Sequence, residues 1–168
     1  MALEDIPGSV ASDDNLKIIA GPASAFPSFP DVTLAEAKAS AVKAITYSLT
    51  ETGFQWTMTQ ESVPDPRLTL AQVLSQPGRK TYGLTLQYVW GADDDVADVL
   101  FVEGEEYVIG ARFAVPNETD ITAVDKFDWI KVRAGAKGKD APTANGKWTK
   151  TQIFYPTGQV VEDQVLGS

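Results

Sequence analysis

Asp93, Asp94, Asp95 and Asp98 stand close together in "GADDDVADVL", and carboxylates are the ligands that a hard cation such as calcium prefers. The spacing of the helix-loop-helix calcium site is absent, however, and the glycine that its sharp turn needs is missing. The same acids suit the N-cap and first turn of a helix, where free amides and the helix dipole favour negative charge. A second stretch, "GAKGKDAPTANGK" at residues 135–147, is rich in glycine and lysine but lacks the Walker spacing and a following helix, so it reads as a flexible hairpin loop and not as a phosphate cradle. Asn117-Glu118-Thr119 has the form of a glycosylation acceptor, which without a secretory signal reads as chance.

The chain has no cysteine and no histidine. That removes disulfides, thiolate nucleophiles, cysteine-bound zinc and the commonest general acid and base together. Carboxylate or lysine chemistry is what remains, and no arrangement of residues suggests either. A carboxylate-dependent hydrolase needs two acids held at a working separation in a cleft, which spacing along a chain does not supply. No residue is therefore assigned to catalysis, to a cofactor or to a metal.

The 168 residues, 43% of them hydrophobic, suit one domain. No apolar run approaches the roughly 20 residues needed to cross a bilayer. "MALEDIPGSVASDD" has neither the basic nor the apolar region of a signal peptide, and the expectation is a product made and used in a cytosol. A net charge of −9 argues against a conventional nucleic-acid binder, whose footprint is a basic patch.

The clearest elements are two stretches of alternating character. In "GFQWTMTQE", Phe54, Trp56 and Met58 alternate with Gln55, Thr57 and Thr59; in "KTYGLTLQYVW", Tyr82, Leu84, Leu86, Tyr88 and Trp90 alternate with Thr81, Gly83, Thr85 and Gln87. A period of two predicts half-buried strands with one greasy and one wetted face. Between them "SVPDPRLTLAQVLSQPGRK", with prolines at 64, 66 and 77, predicts a connection of roughly twenty residues.

Residues 1–13 read as a mobile arm, and residues 14–30 as an edge strand followed by an extended proline-rich connection. Thr33 and Glu36 have the capping-box form and predict a helix over residues 34–40, then a strand over 42–50. In the acidic stretch Val96, Val99 and Leu100 share one helical face, and Gly104 marks its end. Further strands are expected at 107–114, 127–133, 147–155 and 160–164, the last two joined by a turn at 156–159. About eight strands with two short helices predict a mainly-β sandwich or barrel-like fold. Residues 1–30 form its arm and edge strand and residues 31–168 the domain.

Charge is unevenly spread. Residues 91–106 hold seven acids and no base, whereas residues 131–150 hold six bases against Asp140. Two solvated faces would look like this, and so would surfaces that meet on neighbouring copies, where opposite charge steers assembly and sets register. The Thr/Gln faces are equally open to two readings, since the outside of any antiparallel sheet has this pattern.

The order of motifs adds to this. The succession "DVTLAEAKASAVKAITYSLTETGFQW", "ESVPDPRL", "QPGRKTYGLTLQYVW", the acidic helix, "GEEYVIGARFAV", "DKFDWIKVRAG" and "KWTKTQIFYPTGQVVED", over residues 31–165, resembles the tail tube (major tail) proteins of long, non-contractile-tailed phages, especially those infecting actinobacteria. The resemblance implies a β-sandwich with a flanking helix, a long inter-strand loop and an extended N-terminal arm. It also implies copies that close into six-membered rings, stacked as a hollow tube that conducts the genome. The inner wall would be a continuous barrel of extended hairpin strands from every subunit, with the long loop and terminal arms hooking ring to ring.

On this resemblance the lumen-facing candidates are Gln55, Thr57, Thr59, Glu61, Thr81, Thr85 and Gln87. The ring-to-ring candidates are Pro64, Asp65, Pro66 and Arg67, supported by Arg79 and Lys80; the complementary assembly charges are Asp93, Asp94, Asp95 and Asp98 against Lys131, Arg133, Lys137 and Lys139. Implied partners are other copies, tape measure, terminator and distal tail proteins, and genomic DNA only in transit, with no membrane and no cofactor. The implied place is the virion tail, after assembly in the host cytoplasm. Short neutral side chains on such a wall stay wet without gripping, whereas basic ones would gain affinity at each phosphate. Two alternatives stand beside it: a monomeric β-sandwich binding module, for carbohydrate for instance, with Trp90, Trp129 and Trp148 as stacking residues, and a related tail component such as a terminator.

Overall fold

A computed structural model describes residues 5–167; residues 1–4 of the expected arm and residue 168 lie outside it. Residues 5–15 form no helix or strand. The first strand, β1 (Leu16–Pro22), pairs antiparallel with β5 (Glu106–Phe113) from Leu16↔Phe113 to Pro22↔Tyr107. It also pairs with the two-residue β2 (Lys43–Ala44), so the expected edge strand is flanked on both sides. Ile18, Ile19 and Ala20 are all buried, as a continuous apolar run requires when both faces of a strand are covered.

The capping box forms: Thr33 Oγ1 accepts the Glu36 amide, and the Glu36 carboxylate accepts the amides of Thr33 (2.9 Å) and Ser28 (2.8 Å). Partial burial pulls the Glu36 pKa up, but these amides outweigh it and hold the carboxyl below its ordinary range. Helix α1 is shorter than expected, Leu34–Ala37. The strand expected over 42–50 does not run through. After β2 the chain spends itself on β1, with the Ile45 amide and the Thr46 hydroxyl both bonded to the Ile18 backbone, and a short 3-10 turn at Thr46–Ser48 follows.

The two alternating stretches become β3 (Leu49–Asp65) and β4 (Leu74–Val89), one long antiparallel hairpin. The expected long connection is thus mostly strand, and residues 66–73 alone join the two. Pro64 and Pro77 sit inside the ladder, opposite Ser75 and Ser62. Proline lacks a donor and is confined to strands with an open edge, which both strands of a free ribbon have. Gly53 lies within a register shift, and a Cβ there would run into the Gln87 carbonyl oxygen.

Helix α2 (Val96–Leu100) follows the acidic stretch. The Asp95 carboxylate accepts the amides of Gly91 and Ala92 and caps no helix amide. The buried face is Ala97 with Phe101, which packs edge-on to Phe154 (ring centroids 4.8 Å apart), whereas Val96 and Val99 are exposed. Of the expected apolar face, Leu100 packs on the core while Val96 and Val99 are turned outward.

Strand β6 (Lys126–Lys139) is longer than expected and absorbs the first part of the glycine- and lysine-rich stretch. β7 (Thr149–Pro156) and β8 (Val161–Val165) follow. The sheet order is β2-β1-β5-β6-β7-β4-β3, with β8 added beside the first part of β6. This is a mainly-β fold, one sheet curled into a half-barrel with a core on each face.

The inner core joins Ile18, Ile109, Ile130, Leu84, Leu86, Tyr88 and Phe154. The outer core sets Ile19, Val108, Phe127 and Trp129 beneath Phe26, Val32, Ala37 and Leu166. Trp129 is fully buried and stacked on Phe127, so it offers no ring to a ligand.

One stabilising feature has no sequence motif. Arg112 is buried and pairs with Asp125 at 2.7 Å, while its guanidinium also donates to the carbonyls of Pro116, Thr119 and Asp120. That fastens the loop between β5 and β6, in which Asn117 is buried rather than offered as a glycosylation acceptor.

Candidate assembly interface

The ladder of β3 and β4 sets Gln55 opposite Thr85, Thr57 opposite Gly83 and Thr59 opposite Thr81. Because Leu84, Leu86 and Tyr88 point into the inner core, Thr85 and Gln87 face the other way. The face continues onto β7, where Thr151 lies opposite Gln87 and the exposed, apolar Ile153 opposite Thr85. Six of the lumen-facing candidates thus share one face. Glu61 falls at the register shift between Gln60 and Ser62, across from Gly78 and Arg79, so alternation does not place it.

Asp140 ties this face together. Its carboxylate accepts Gln87 Nε2 (2.9 Å), Thr149 Oγ1 (2.8 Å) and Thr151 Oγ1 (2.9 Å), and Gln87 Oε1 in turn accepts Thr50 Oγ1 (2.7 Å). Burial pushes the Asp140 pKa up, but the hydrogen bonds from Thr149, Gln87 and Thr151 prevail and lower it. Sequence reasoning missed this acid because it stood alone among bases; the Thr149-x-Thr151 alternation on the neighbouring strand was the available signal.

Among the described residues, β3, β4, β7 and β6 form a four-stranded wall whose two sides are both open. β3 ends the sheet. β5 pairs with β6 only as far as Arg133, so residues 135–139 of β6 have a strand partner on the β7 side alone. On the open side the Lys137 amide is taken by Glu103 Oε1 at 2.7 Å, a charged side chain covering an unpaired edge.

Beyond the wall the hairpin stands free, since β4 pairs with β7 only over residues 84–89. Pro64, Pro66, Arg67, Arg79 and Lys80 are exposed along this free part, and Asp65 holds Arg67 at 2.7 Å. The structure therefore puts the ring-to-ring candidates on a projecting ribbon and its tip, not in one loop.

The assembly charges divide. Asp98 binds Lys137 (3.1 Å) and Lys150 (2.8 Å), and Glu106 binds Arg133 (3.2 Å) and Lys131 (3.6 Å) within one chain. Burial opposes it, yet the two lysines lower the Asp98 pKa. Asp93 and Asp94 are exposed and make no ion pair among the described residues. Lys139 and Lys150 lie 4.9 and 4.6 Å from the Trp90 ring centroid, and Trp90 packs on the exposed Trp148.

Among the described residues, no cluster of His, Cys, Asp or Glu could hold a metal ion, and no helix is long and apolar enough to cross a membrane. The sequence profile of a family described as phage tail tube protein matches residues 3–168. The chain belongs to that family. It is a structural protein of the phage tail, and its curled, mainly-β sheet is the tail tube fold. No curated protein matches the chain.

Proposed function

We propose that copies of this chain close into six-membered rings that stack into the hollow tail tube, through which the phage genome passes. The observation that carries this reading is the four-stranded wall, polar on one face and unpaired along both sides. An unpaired strand edge is a template for another chain. Pairing the β3 edge of one copy with residues 135–139 of β6 on the next satisfies both edges and closes a barrel. Six walls of four strands make 6 × 4, or about 24, strands; at about 4.8 Å spacing and a tilt near 40° the backbone barrel is roughly 45–50 Å across, wide enough for a DNA duplex.

The wall suits passage because its polar groups at Gln87, Thr149 and Thr151 are already engaged by Asp140 and the other lumen-facing candidates on its face carry short, neutral hydroxyls and an amide. A ring would hold 6 × −9, or −54, formal charges, whose reach is confined by screening to roughly 8–10 Å. The protein performs no catalysis in this role. Its partners are its own copies, then tape measure, terminator and distal tail proteins, with assembly in the host cytoplasm.

Size-exclusion chromatography with light scattering, followed by negative-stain electron microscopy over a range of protein and salt concentrations, tests the reading. Stacked rings or hollow tubes support it, and a strictly monomeric species even after seeding with tube fragments contradicts it. In assembled particles, Thr57→Lys and Thr85→Lys should slow genome delivery while leaving tubes intact.

A further inference from the structure

The strand registers give the wall two unlike ends. β3 and β4 turn at residues 66–73 at one end. At the other lie Val89 with its partner Thr149, the start of β7, and Lys139, the end of β6, opposite Lys150. The turn end carries Leu68, which is 95% exposed, with Val73 (60%) and Leu74 also uncovered. Apolar side chains gathered on a ribbon that its own chain leaves bare on both faces mark a surface which another molecule covers. At the opposite end a cavity of about 340 Å³ opens between Tyr47, Val89, Ala92 and Val96, with Asp94 and Asp95 on its rim. Tyr47 is 69% exposed there.

We infer that the tip of the β3–β4 hairpin seats in this groove on a second copy in the adjacent ring, with Leu68 entering between Tyr47 and Val96. The inference rests on the tube reading above and names the surface that receives the tip. Identical copies stacked in one direction bring unlike ends together, a head-to-tail contact that repeats without closing, so a second copy supplies the tip with no further partner.

Charge agrees with this occupant. The rim of the groove belongs to the stretch of seven acids and no base, and Asp93 and Asp94 make no ion pair among the described residues, while of the lysines at this end Lys150 is held by Asp98 and Lys139 lies over Trp90. The incoming hairpin presents Arg67, Arg79 and Lys80, all exposed. Arg67 uses Nε and one terminal nitrogen on Asp65 while its side chain stays 66% exposed. Its other terminal nitrogen can then meet Asp94 as Leu68 enters, a contact that steers and orients the approach.

The absence of native cysteine makes the test direct. Leu68→Cys and Ala92→Cys, both at exposed positions, are prepared as separate proteins, mixed, assembled and oxidised. Disulfide-linked dimers in the mixture, and not in either variant alone, are the expected result.

A control cysteine pair on the open edges of β3 and β6 reports the ring seam. Tubes in which the seam pair links but the Leu68 and Ala92 positions do not overturn the groove assignment while the tube reading stands. Links between two Leu68→Cys tips overturn it as well. A chain that forms no rings, seen by microscopy before any oxidant is added, removes the tube reading and this inference with it. Leu68→Asp, at a position too exposed to disturb the fold, should leave single rings and weaken stacking at least about tenfold. Tubes of unchanged length at equal concentration count against the groove.

Discussion

The inner and outer halves of the β3–β4 hairpin share one hydrogen-bonded ladder but not one source of stability. In the inner half Leu84, Leu86 and Tyr88 are fully buried, and Phe54 and Trp56 lean on the same core. In the outer half, residues 58–65 and 74–81, every residue is exposed apart from Asp65 and Gly78. Each ladder bond contributes only about 0.5–1.5 kcal/mol net, and a two-stranded ribbon without an apolar face against a second layer is marginal in water. The inner half folds with its own chain. The outer half is shaped to be completed by another.

The largest separation between the halves is expected from truncating one leucine in each. Leu86→Ala removes a fully buried side chain and should cost about 2–5 kcal/mol in chemical denaturation of the monomer, whereas Leu74→Ala should stay within about 0.5 kcal/mol and weaken tube formation instead. Equal losses in the monomer would erase the distinction. Asp140→Ala, which strips Gln87, Thr149 and Thr151 of their shared acceptor at the base of the inner half, should cost about 1–3 kcal/mol. No measurable change in the denaturation midpoint would mean that this network only decorates the wall.

Acid should act on the body of the molecule. Glu36, Asp98, Asp125 and Asp140 all have pKa values lowered by their partners against the pull of burial. A depressed carboxylate contributes stability that is complete above its unfolded value, near 4, and lost as pH falls through its folded value. Thermal melts should therefore change little down to about pH 5 and drop below about pH 4. Asp128, raised by burial and by Asp163 and Glu162, works in the opposite sense, its contribution fading as pH rises through its folded value.

The smallest effect on the monomer is expected at the wall's far side. Glu103→Ala uncaps the Lys137 amide and should leave stability within about 0.5 kcal/mol while shortening the lag before assembly in light-scattering time courses, because the edge is then bare. A longer lag would show that Glu103 helps the neighbouring strand to dock.

Much of the inner half was legible because its signals are local. Alternation at 54–59 and 81–88 is a property of neighbours along the chain, and so is the Thr33–Glu36 capping box; both formed as the pattern required. The outer half was not legible. Its prolines argue for a loop, and whether a strand tolerates proline depends on which of its edges is open, which no stretch of twenty residues specifies. The strand expected over 42–50 failed for a related reason, since Ile45 and Thr46 bond to Ile18, far away in sequence.

The candidate site divides along the same line. Which side chains share the polar face follows from period two alone, so Gln55, Thr57, Thr85 and Gln87 were named from the sequence. That Asp140 organises them, that Asp98 is consumed by Lys137 and Lys150, and that Val99 rather than Ala97 faces outward were decided by contacts between distant segments. By itself the sequence determined strand periodicity, a short capped helix and a chain without histidine or cysteine chemistry. The curl of the sheet, its two open sides and the free-standing ribbon were decided only in three dimensions, because an edge is defined by the strand that is missing beside it and not by any residue within it.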